Sequence, residues 1–185
     1  MKSWRRKGGR VLGGFEQQEA AVLRGLVSQV DDMLRARAEE APQDELAELT
    51  GIKTGPSEGP DDPVLGRLLP DFHKLDPDQP SQDEVDSAAA LRSLHEPQVL
   101  DAKLGVAAEL LKTLPPEGGN VKLTYEQADA WVSALNDVRL ALGTALDVDD
   151  DMPEELPEDD PRSSHLGIYH WLTWVQESLV QALTE

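Results

Sequence analysis

Aliphatic residues recur at intervals of three and four through four long stretches of the chain, and that spacing is the period of an amphipathic helix. From Glu16 to Glu39 the stripe is Leu23, Leu26, Val27, Val30 and Leu34, with Gln29, Asp31, Asp32 and Arg35 among the polar positions. It predicts one long helix ending before Pro42. A second stripe, Leu100, Leu104, Ala107, Leu110, Leu111 and Leu114, runs from Pro97 to Pro115-Pro116. Thr124 and Gln127 form a capping box that opens a third helix, striped by Ala128, Trp131, Val132, Leu135, Val138, Leu142 and Leu146 and expected at the centre. The fourth, about Ser164 to Leu183, carries Ile168, Leu172, Val175, Leu179 and Leu183 on one face.

Shorter elements fill the gaps. Gln43 to Leu49 suits a short helix, and Asp62 with Pro63 reads as N-cap and first position of another that Pro70 ends. Ser81 and Glu84 make a second capping box, opening a helix to about His95, after which Pro97 is expected to restart the helix on a new axis. Gly8-Gly9 between two short runs predicts a tight N-terminal hairpin, and Val121-Lys122-Leu123 alternates like a strand able to join it. The expected fold is mainly α: a compact bundle of about five to seven helices with a small N-terminal β-hairpin and one further short strand. One domain, residues 1–185, is the expected organisation, since a chain of this length buries roughly 70% of its unfolded surface. Hydrophobic residues at 39% with aromatics at 4% supply a core of Leu, Val and Ala.

Charge divides the chain sharply. Lys2, Arg5, Arg6, Lys7 and Arg10 place five bases in the first ten residues, leaving 12 bases against 36 acids in the remainder and a net charge of -19. A field of that sign repels nucleic acid and anionic lipid at long range, so any phosphate contact must be local. The basic hairpin, residues 1–14, is the candidate nucleic-acid or partner surface: Arg5, Arg6, Lys7 and Arg10 for phosphate contacts, with Trp4 as a stacking ring. The competing reading is that these bases lie against the acidic body and neutralise it. Trp171 and Trp174 form a second candidate partner face, or else widen the apolar side of the last helix.

Residues 147–162 read as an acidic, solvated loop, with nine acids and two prolines between Asp147 and Asp160. Asp147, Asp149, Asp151 and Glu158 fall on calcium-loop positions, but Met152 stands where the turn needs glycine and Pro153 follows it. Four histidines never adopt the i, i+4 spacing that aims two imidazoles at one metal, so no metal or cofactor is expected. No phosphate loop, dinucleotide fingerprint or nucleophile elbow occurs, and no catalytic residue is assigned. His95 and Glu96 at the Pro97 junction, and Asp137 and Arg139 on the central helix, read as capping and helix-tying groups. There is no cysteine, which excludes disulfides, zinc thiolates and thiol switches within the chain. With no signal sequence and no membrane-spanning run, a cytoplasmic location without membrane contact is expected.

Several strings share a pattern: Glu48-Leu49-Thr50-Gly51-Ile52-Lys53-Thr54-Gly55, Leu68-Leu69-Pro70-Asp71-Phe72 and Leu91-Arg92-Ser93-Leu94-His95-Glu96-Pro97. Trp131, Asn136-Asp137-Val138-Arg139-Leu140 and Tyr169-His170-Trp171-Leu172-Thr173 continue it. Together they resemble an actinobacterial family of AosR type, long filed as a domain of unknown function and encoded near ClpS, the protease adaptor. The resemblance implies a non-enzymatic regulator of transcription linked to oxidative stress or cysteine supply, acting through protein contacts, with the basic hairpin the candidate for any DNA contact. The alternative it implies is an adaptor or scaffold in a ClpS-linked proteolytic pathway. It carries over no functional residue, and Met33 and Met152 are weak substitutes for an oxidant-sensing thiol.

Overall fold

The computed structural model describes residues 1–42, 53–73, 81–149, 151–153, 156–157 and 159–184. The chain begins with a hairpin, β1 (Lys2–Lys7) and β2 (Arg10–Phe15), then α1 (Gln17–Glu39) and α2 (Pro63–Leu68). A long α3 (Gln82–Thr113), β3 (Gly119–Leu123), α4 (Tyr125–Ala145) and α5 (Ser163–Thr184) complete it. The short helix expected over Gln43 to Leu49 lies outside the described residues.

Local chemistry sets most boundaries. Ser81 with Glu84 and Thr124 with Gln127 form the expected capping boxes, and Asp62 accepts from the Leu65 amide at 2.9 Å with Pro63 at the first helical position. Glu16 with Glu19 adds a third capping box at the start of α1, in a sequence without the usual Ser or Thr. The C-terminal end of α3 is capped from outside its own helix: Arg24 of α1 donates to the Leu111 and Leu114 carbonyls at 3.3 and 2.5 Å.

The three strands form one antiparallel sheet in the order β1-β2-β3. Gly8 and Gly9, with φ of 60 and 71°, make the two-residue turn between β1 and β2. Helix α4 touches α1, α2, α3 and α5 as well as β2 and β3, which makes it the central element the stripe predicted. Aliphatic side chains from every helix join one buried cluster with Trp4, Val11, Phe15, Val121, Leu123 and Trp131 from the sheet and its neighbouring helix.

The expected helix break at Pro97 does not occur. Residues 82–113 are one helix with Pro97 inside it. Proline lacks the amide that would reach Ser93, four residues earlier, and leaves that carbonyl without its helical partner. A crossing segment supplies the missing donor: the Gly55 amide donates to the Ser93 carbonyl at 2.7 Å, and the Ser93 hydroxyl donates to the Gly55 carbonyl at 2.9 Å. A Cβ on residue 55 would stand 3.1 Å from Pro97 Cδ, so glycine is what lets the backbone approach this closely.

Candidate functional site

Alternation along the strands sorts the hairpin bases onto different sides. Trp4, Val11, Phe15, Val121 and Leu123 are buried and face the helices. Trp4 is 5% exposed, with its ring centroid 5.3 Å from that of Trp131 and 5.9 Å from that of Phe15. The indole also lies against Gly13, where an added Cβ would come within 2.5 Å of Cε3. The ring expected to stack on a base is therefore a core residue. Its backbone amide donates to Ser178 Oγ at 3.0 Å, tying the β1 edge to α5.

Arg6 is exposed but turned along the sheet's edge toward α4, where Nε donates to Tyr125 Oη at 2.5 Å and the guanidinium lies 4.8 Å from the ring centre. The remaining bases face outward together. Arg5 pairs with Leu12, Leu12 with Lys122, and Lys7 with Arg10, so Arg5, Lys7, Arg10 and Lys122 share one face, joined at its far end by Lys2 opposite Gly14. The three strands hold six of the chain's 17 bases and none of its 36 acids. Among the described residues no ion pair joins Lys2, Arg5, Arg6, Lys7, Arg10 or Lys122 to an acid. Like charges directly opposed across strands destabilise a hairpin, and Lys7 against Arg10 is such a pair.

Lys122 and Lys2 complete this face and were not among the candidates. Alternation in Val121-Lys122-Leu123, with both valine and leucine turned to the core, is the signal that identifies Lys122. On α5, Trp174 is 43% exposed, while Trp171 is half-buried with its ring 6.4 Å from Phe15. The two tryptophans thus part company, one packing toward the core and one standing in solvent.

A few charged groups of the helices are buried and paired with one another. Glu96 is fully buried, accepting from Arg37 Nε at 2.7 Å and Arg92 at 2.5 Å. Arg37 also reaches Glu40 and the Glu58 carbonyl, and Arg92 reaches Asp71 and the Leu69 carbonyl. These contacts fasten the segment 53–73 across α1 and α3. Asp137 takes a hydrogen bond from Lys103 at 2.5 Å, and burial raises its carboxyl above the ordinary aspartate value against the opposing pull of that lysine. Arg139 donates to Thr173 and Gln176 at 3.0 and 2.6 Å, binding α4 to α5. His95, Glu96 and Arg139 are not gathered in one pocket: Glu96 is enclosed by its two arginines, and Arg139 serves a different helix pair. No group of three metal-ligating side chains is assembled among the described residues.

The fold thus carries a small sheet with one basic face on a helical body in which a few ionic groups are buried and paired. The chain belongs to the family described as "Domain of unknown function (DUF2017)", whose model matches residues 1–183. It is 45% identical over 183 residues to the "Oxidative stress regulator AosR" of Mycobacterium tuberculosis strain H37Rv and to that of Mycobacterium bovis, a match covering 96% of this chain and 84% of theirs. The "Putative oxidative stress regulator AosR" of Mycobacterium leprae is 45% identical over 192 residues, covering 99% of this chain and 88% of its own. These relatives are named as regulators and not as enzymes. No solved structure matches the chain. No described helix is long and apolar enough to cross a membrane.

Proposed function

We propose that the protein is a non-catalytic regulator of transcription under oxidative stress that acts by recruiting partners through the outward face of its N-terminal sheet. The observation that carries this reading is the segregation of charge. In a chain with 36 acids, a folded sheet exposes Lys2, Arg5, Lys7, Arg10 and Lys122 with no acid among its strands. Folding gains nothing from such an arrangement, since opposed like charges cost stability, so selection for contact with an anionic partner is the reading that accounts for it. The names of the mycobacterial relatives support regulation under oxidative stress as the setting.

The chain has no cysteine, so in this protein the oxidant signal is received by a partner and the chain's own part is recruitment. The partner belongs to the transcription machinery, and DNA lies within reach of the hairpin tip in the assembled complex. Affinity capture from a cell extract at moderate salt tests this. Recovery of RNA polymerase or a sigma factor is expected, with loss when Arg5, Lys7, Arg10 and Lys122 are replaced by alanine. Recovery of protease components in their place would favour the ClpS-linked adaptor.

A further inference from the structure

On the sheet's outward face Leu12 of β2 lies between Arg5 of β1 and Lys122 of β3, and with Gly13 beside it a depression opens there. It measures about 670 Å³ and is lined by Lys2, Arg5, Asn120 and Lys122 together with Leu12 and Gly13. Three cations and an amide thus surround a patch formed by an aliphatic side chain and glycine backbone. We infer that this depression takes an acidic protein segment bearing one bulky apolar side chain among its carboxylates. The apolar group sits on Leu12 and Gly13, and the carboxylates meet Lys2, Arg5 and Lys122. The inference rests on the reading of the protein as one that recruits partners through this face.

Three features favour such a segment over nucleic acid. Single strands are held by stacking on aromatic rings, and this face has none, since Trp4 and Phe15 are turned to the core. A duplex backbone presents phosphates and sugars, which find no match in Leu12 and would desolvate against it. Repulsion by the -19 body grows with the charge brought to it, so a segment with a few carboxylates is opposed far less than a polyanion carrying a charge every 1.7 Å or so. The same complementarity supplies the attraction: charge-assisted pairs to Arg5, Lys2 and Lys122 set orientation, and the buried apolar group supplies affinity.

Fluorescence anisotropy with the full-length protein tests the inference using three labelled probes. One is a short peptide of Asp and Glu around a single Leu, the second the same peptide with Ser for that Leu, and the third a short duplex DNA. The Leu peptide is expected to bind, and the Ser peptide to bind at least about tenfold more weakly, the scale set by burying one large apolar side chain. Arg5→Ala with Lys122→Ala, or Leu12→Ser alone, should each weaken the Leu peptide about tenfold. Arg35→Ala, an exposed base of α1 outside the sheet and the depression, should change it by less than about threefold, as expected for a field effect alone.

Equal binding of the two peptides would overturn the inference in favour of a plain cationic patch. Tighter binding of the duplex would overturn it in favour of a phosphate-backbone site. A salt-sensitive dimer lost in the Arg5→Ala, Lys122→Ala protein would overturn it too, by showing that a second copy fills the depression. If extract capture succeeds while no peptide binds, the regulatory reading stands and the depression is not its contact. If a peptide binds while capture yields no transcription component, the reverse holds.

Discussion

At the scale of single residues, the buried charges explain more of the molecule than the exposed ones. Glu96 lies between Arg37 and Arg92 with no solvent contact, so its removal strands two guanidinium groups in the interior. Breaking a buried pair of this kind costs about 3–5 kcal/mol, and Glu96→Ala should fall at the lower end because each arginine keeps another carboxylate, Glu40 or Asp71. Urea unfolding monitored by tryptophan fluorescence measures this directly. Asp137 makes a pH-dependent prediction. Burial raises its folded-state value, so the folded protein holds that proton to higher pH than the unfolded chain. The stability this contributes is present at low pH and declines as pH rises through the raised value. The unfolding free energy of wild type minus that of Asp137→Asn should therefore fall across this window, and a difference that rises would mean Lys103 outweighs burial. The helix-tying role of Asp137 was legible in the sequence, while the buried cluster at Glu96 was not. His95-Glu96 next to a proline reads as a helix junction, and only the packing of α1 against α3, which brings Arg37 onto Glu96, reveals a buried cluster.

At the scale of elements, the sequence was most informative where a single helix or turn carries its own signals. The capping boxes at Ser81 and Thr124, the Asp62-Pro63 start and the Gly8-Gly9 turn all depend on residues within three positions of one another, and all occur as the spacing predicts. The pairing of β3 with the hairpin follows from alternation in Val121-Lys122-Leu123. What failed was the break at Pro97, because the donor that repairs the proline gap comes from Gly55, some forty residues earlier. A helix of 32 residues, about 48 Å long, is thereby kept continuous by a loop. Loss of the Ser93 hydroxyl bond to Gly55 should cost about 1 kcal/mol. In Ser93→Ala, hydrogen exchange should quicken at residues 53–60 and around Pro97, with β1, β2 and β3 unchanged. Exchange that quickens uniformly across the molecule would show that this joint is not a local clasp. The inward turn of Trp4 likewise depended on packing: the basic residues around it suggested a solvent-facing ring, while Trp131, Phe15 and Gly13 form the pocket that holds it.

At the scale of the whole molecule, the chain separates its charges by architecture. Acids lie on the helices and in the connecting segments, while the sheet gathers five of its six bases on one side and most of its apolar residues on the other. The division between the first ten residues and the remainder was visible in the sequence. The exact face was not, since Arg6 leaves it for Tyr125 and Lys122 joins it from more than a hundred residues away. Contacts made by such a face weaken as salt is added, because exposed charges are screened within about 8–10 Å at physiological ionic strength. The regulatory role proposed for this face can be tested in cells. The direct test is transcript profiling after a peroxide pulse in cells carrying the wild-type gene, a deletion, or Arg5→Ala, Lys7→Ala, Arg10→Ala and Lys122→Ala combined, with protein abundance matched. The fourfold variant is expected to reproduce the deletion profile while the purified protein keeps its wild-type stability. A variant that responds to peroxide as the wild type does would contradict it.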